Sequence, residues 1–168
     1  MEELIDVLEK ENALYEQLLA LSMKKTPVII SANLEDLQRI TDAEQEVVGQ
    51  INVVDRKRTQ NMKDIANVIN RDVQTVKIAD LIEMLKTRPN EQKKLAEVYD
   101  KLSDTIAQMR QANEHNRELL NNSLEMVEFD MKIMQAYKAA PETANYTKGA
   151  YNAGTFMGTN RGGFDAKQ

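Results

Sequence analysis

Cysteine and tryptophan are missing from this chain of 168 residues, and histidine occurs once. Without thiols there is nothing for a disulfide or a thiolate metal site, and one imidazole leaves few groups for acid–base chemistry near neutral pH. Long apolar runs are missing as well, none approaching the roughly 18 residues of a membrane span. The opening MEELIDVLEK is acidic and amphipathic where a secretory signal is basic and then continuously apolar. Positive charge is not in excess: 22 Lys and Arg face 27 Asp and Glu, a net charge of −5, which argues against nucleic acid as a partner. There is no Gly-rich phosphate loop, nucleophile–base pair or metal-ligand cluster. These absences point to a soluble cytoplasmic protein that is not an enzyme and carries no cofactor.

What the chain has in quantity is helical periodicity, apolar residues recurring at threes and fours. The first such segment carries Leu4, Val7, Leu8, Leu14, Tyr15, Leu18 and Leu21 and predicts a helix over about residues 1–25, ended by Pro27, which has no N–H for the turn behind it. Asn33 is a candidate N-cap with Asp36 three residues on. From there Leu34, Leu37, Ile40, Val47, Ile51, Val54, Met62, Ile65 and Ile69 predict a longer helix over about 33–70. Gly49 lies off its stripe and costs it only about 1 kcal/mol. Ile78, Leu81, Ile82 and Leu85 predict a short helix over about 77–86. Pro89 suits the first position of a third long helix, which runs to about residue 138. The expected fold is all-α, an elongated antiparallel bundle or coiled coil of three long helices plus a short one over 1–138. Residues 139–168, which hold five of the six glycines, are expected to form a flexible C-terminal tail.

Each long helix has polar residues on its apolar stripe: Glu11 in the first, Glu44 in the second, Asn113 and Asn116 in the third. If the helices form antiparallel hairpins, the first turn pairs positions summing to roughly 59 and the second pairs positions summing to roughly 160. The four residues then fall in about one layer, where the carboxylates accept hydrogen bonds from the asparagine amides and fix the register. The rival reading is a carboxylate-bridged di-metal site. That needs Glu-x-x-His pairs, whereas the lone His115 follows Ala112 at that spacing and falls off the seam.

The same count leaves residues of about 58–102 without the first helix as a third partner, with the short helix as their cover. It also leaves the end of the third helix overhanging by roughly 15 Å. Met126, Val127, Phe129, Met131, Ile133, Met134 and Tyr137 lie there, followed in the tail by Tyr146, Tyr151, Phe156 and Phe164. Nine methionines against three phenylalanines mostly fill cores, but Met126, Met131 and Met134 suit an adaptable binding surface. Apolar groups on an unsupported helix end, leading into an aromatic-bearing tail, mark a protein-binding site. The alternatives are that the tail folds back over them, or that two copies pair there as a homodimer.

Three blocks carry a family likeness: VLEKENALYEQLLALSMKK, NLEDLQRITDAEQEVVGQINVVDRKR, and NEHNRELLNNSLEMVEFDMKIM with its Asn113, Asn116, Leu119, Leu120, Ser123 and Leu124. In these the chain resembles the FlgN-type flagellar export chaperones. The resemblance implies a cytoplasmic helical chaperone of type III export. Such a protein binds the hook–filament junction proteins FlgK and FlgL, prevents their premature assembly, and delivers them to the export gate through its component FlhA. It puts cargo binding in the C-terminal region, here about Met126 to Phe164. The competing expectation is a self-associating coiled-coil scaffold or adaptor without client specificity.

Overall fold

The computed structural model describes residues 1–72 and 76–139, and among them there are helices and no strand. Four α-helices follow one another, α1 (Glu2–Ile30), α2 (Leu34–Val68), α3 (Ile78–Met84) and α4 (Pro89–Ala139), with a 3-10 turn at Leu85–Thr87. The all-α class expected from periodicity is the class observed.

α1 opens on Glu2 and Glu3, carboxylates that suit the positive end of the helix dipole. It does not stop before Pro27, as proline chemistry predicts, but runs through it to Ile30. The carbonyl deprived of its donor is that of Met23, and both Met23 and Pro27 are exposed, so solvent can satisfy it. The turn beyond is closed by Ala32 in the left-handed region at φ 51°. There the Ala32 N–H donates to the Ile29 carbonyl at 3.1 Å and the Asn33 N–H to the Val28 carbonyl at 3.2 Å, a common way of ending a helix. Asn33 then caps α2 by accepting the Asp36 N–H at 3.2 Å. The end of α2 repeats the device: Asn70 sits at φ 53°, and the Arg71 N–H reaches the Ala66 carbonyl at 3.0 Å. α3 is held at its start by the Asp80 carboxylate, which accepts the Lys77 N–H at 2.9 Å. Pro89 is the first residue of α4, where a missing N–H costs nothing.

Because α1 ends at Ile30, its hairpin with α2 turns near Ala32 and pairs positions summing to roughly 64 rather than 59. The shift carries the start of α1 toward the far end of α2. Leu4, Ile5 and Leu8 therefore join Ala66, Val76, Leu81, Leu85, Leu95 and Leu102 in one buried cluster. The count had put the short helix there without α1; both are present. Leu4, Leu8, Leu81 and Leu95 are almost wholly enclosed, and each such side chain contributes about 1.5–3 kcal/mol relative to exposure. A second, smaller cluster of Leu18, Val47 and Ile51, flanked by Leu14, Tyr15, Leu21 and Met109, lies further along α1.

The chain divides into two units within α4, the first being Met1–Glu125. Residues 126–139, the described part of the second, are the last turns of α4, and every side chain in them is exposed.

Candidate partner-binding surface and buried polar layers

The polar residues of the stripes sort into separate groups. In the first, Asn116 is 3% exposed; its Nδ2 donates to the Ser22 carbonyl at 2.7 Å, and its Oδ1 accepts the Thr26 hydroxyl at 2.7 Å. Beside it the Ser22 hydroxyl, fully enclosed, lies 3.1 Å from Glu44 Oε1 and 2.9 Å from Asn113 Oδ1. A hydroxyl has one proton and serves one acceptor at a time. Exchanging the O and N of the Asn113 amide turns it into a donor to Ser22 Oγ and leaves the proton for Glu44. Lys25 completes the group with an ion pair to Glu44 at 2.7 Å. Glu44, Asn113 and Asn116 are thus brought together, with Ser22 and Thr26 standing between the helices where direct carboxylate–amide bonds were expected.

Glu11 is not in that layer. The later turn brings it toward Arg58, whose Nε lies 3.3 Å from Glu11 Oε2, while Arg58 also pairs with Asp55 on its own helix. Glu11 is 2% exposed and its Oε2 accepts no hydrogen bond. Burial raises its pKa above the ordinary carboxylate value, the Arg58 charge lowers it in part, and the Asp55 charge raises it again. Burial likewise raises the Tyr15 phenol, helped by the Glu11 charge. One residue on, Thr105 of α4 donates to Asn12 Oδ1 at 3.0 Å, and Asn12 donates to Glu16 at 3.0 Å. Lys101 closes on Glu16 at 2.9 Å, and these two donors, Lys101 first, lower the Glu16 pKa. Ser22, Thr26, Asn12 and Thr105 were not singled out in the sequence. Ser22 and Thr26 had a signal: they continue the spacing of Leu18 on the way to the buried Ile29.

The other predicted residues behave in the opposite way. Met126, Val127, Phe129, Met131, Ile133, Met134 and Tyr137 are all exposed, Phe129 at 62% and Tyr137 at 79%. They lie on more than one side of α4, interleaved with Glu128, Asp130 and Lys132. So many large apolar groups in a short helix segment lie in water and not in a core, an exposed apolar patch of unusual density. Tyr146, Tyr151, Phe156 and Phe164 lie outside the described residues. His115 is exposed, and among the described residues there is no group of three or more His, Cys, Asp or Glu placed to hold a metal ion.

Residues 1–153 match the family described as FlgN protein. The chain belongs to the FlgN family. It is therefore a flagellar export chaperone, and no described helix is long and apolar enough to cross a membrane. The match takes in the whole exposed segment of α4 and stops within the tail. A curated relative of this FlgN chain is "Uncharacterized protein YvyG" of Bacillus subtilis (strain 168), 25% identical over 132 residues, or 77% of this chain and 79% of the relative. No solved structure matches it.

Proposed function

We propose that this FlgN-family chain captures the hook–filament junction proteins FlgK and FlgL in the cytoplasm through the end of α4 and the tail beyond it, keeps them from assembling, and passes them to the export gate through FlhA. The observation that carries this reading is the exposed apolar segment from Met126 to Tyr137. A client's aggregation-prone terminal helix offers a matching apolar stripe, and burying the two against each other removes both from water. Ordering the tail on the client costs a few kcal/mol. That keeps affinity moderate, which suits a chaperone that must release what it carries.

The test is titration of FlgK and of FlgL, by calorimetry, into the full chain and into a form lacking residues 141–168. Capture should be lost in the truncated form while its thermal unfolding stays nearly unchanged. Equal affinity in both forms would sink the tail's part in the proposal. Mass measured over a range of concentrations separates the scaffold reading: a concentration-dependent rise in mass with no client bound favours self-association through the same residues.

A further inference from the structure

Two adjoining cavities, of about 310 and 380 Å³, form a groove between α2, α3 and α4. Arg58, Ile78 and Tyr99 line both. Its lining is mixed: the apolar side chains of Met62, Ile78, Leu102 and Ile106 alternate with the hydroxyls of Tyr99, Ser103 and Thr59. Its charge is of one sign. Arg58, Lys77 and Arg110 line it, and no Asp or Glu does among the described residues. In a chain of net charge −5 that is a local inversion.

The cations differ in what they are free to do. Arg58 is engaged by Glu11 and Asp55. Lys77 and Arg110 are exposed and take part in no ion pair among the described residues. Along α4 the groove runs from Tyr99 to Arg110, about 16 Å of helix rise. Unpaired cations beside the apolar side chains of Ile78, Leu102 and Ile106 complement one kind of occupant, a segment whose apolar residues pack on those side chains and whose carboxylates reach the cations.

We propose that the groove bounded by Arg58, Lys77 and Arg110 is a docking site for an acidic amphipathic helical segment of a partner protein. The segment spans about 11 residues, the number that matches the groove's length along α4. Its apolar side chains lie on Ile78, Leu102 and Ile106, and its carboxylates pair with Arg110 and Lys77. This surface is separate from the exposed end of α4 and does not rest on the client assignment.

The probe is a fluorescein-labelled helical peptide of about 11 residues, with Leu at helical spacing and Glu elsewhere, read by anisotropy against the full chain. Its control has Lys in place of every Glu. The Glu peptide should bind, weaken at least about tenfold between about 50 and 500 mM NaCl, and outbind the Lys peptide. Lys77→Glu with Arg110→Glu should weaken it at least about tenfold, and the Gln pair should fall between; both residues are exposed, so far-UV dichroism should report the wild-type helix. Phe129→Ser with Met131→Ser serves as the comparison. If the peptide's affinity falls in that variant and ignores the charge reversal, it sits on the end of α4 and the proposal is overturned. Equal binding of the Glu and Lys peptides overturns it too.

Discussion

Replacing Asn116 with alanine tests whether the polar group around Ser22 holds α1 and α4 together. Both of its hydrogen bonds are short, 2.7 Å to the Ser22 carbonyl and 2.7 Å from the Thr26 hydroxyl, and the side chain is buried. Truncation removes about 1 kcal/mol of net hydrogen bonding for each and leaves the Thr26 hydroxyl in poor company. It also opens a space of a few heavy atoms. The expected loss is about 2–3 kcal/mol. At a urea dependence of about 2 kcal/mol per molar, the unfolding midpoint followed by dichroism should fall by about 1 M or more. The second arm is Thr26→Val combined with Asn116→Leu. That double variant removes donor and acceptor together, leaves the Ser22 carbonyl its helical partner, and should recover most of the loss. An unchanged midpoint in Asn116→Ala, or a double variant that loses as much as the single, would refute the reasoning.

Three further substitutions follow from the same structure. Glu11→Gln bears on pH: burial holds the Glu11 proton more tightly in the folded chain than at the ordinary value of 4.5, so wild-type stability falls as pH rises through the interval between the two values. The variant should match wild type below that interval and exceed it above, read as urea midpoints at a series of pH values; a variant weaker at pH 8 would show that the Arg58 pair outweighs burial. Pro27→Ala restores the donor for the Met23 carbonyl at an exposed position and should raise stability by about 1–3 kcal/mol, seen as a higher melting temperature. Gly49→Ala adds a methyl group into open space and should add about 0.5–1 kcal/mol; a loss there would mean the α2 surface is occupied.

Most of the helix layout could be read from apolar spacing, because bundles of this kind are built on a stripe of period 3.6 and little else. The Asn33 cap and the Pro89 start were readable for the same local reason: each satisfies backbone groups within a turn of itself. Pro27 does not end α1, because its cost depends on whether the freed carbonyl faces solvent, and that is a tertiary fact. A turn several residues late shifts every α1–α2 pairing, so Glu11 moved from the asparagine layer to Arg58. The exposed residues Met126 to Tyr137 were legible as apolar side chains on more than one helix side, something a buried stripe does not show. The cationic groove was not legible, since Arg58, Lys77 and Arg110 come from three separated stretches.

Asn121, Asn122 and Ser123 lie within α4 shortly before the apolar segment begins. All three are exposed and rank low as helix formers, and the Ser123 hydroxyl donates back to the Leu119 carbonyl at 2.9 Å, an arrangement that weakens a helix slightly. No residue of α4 beyond Asn116 is buried. Amide exchange should therefore be slow up to Asn116 and fast beyond this triplet, with the last turns melting and re-forming while the core stays intact. A bound client would stiffen those turns. It could also be let go by unwinding them one at a time, a lower barrier than peeling a rigid face away all at once. On the function proposed above, the weak triplet would be the seam at which a client held by the last turns is released.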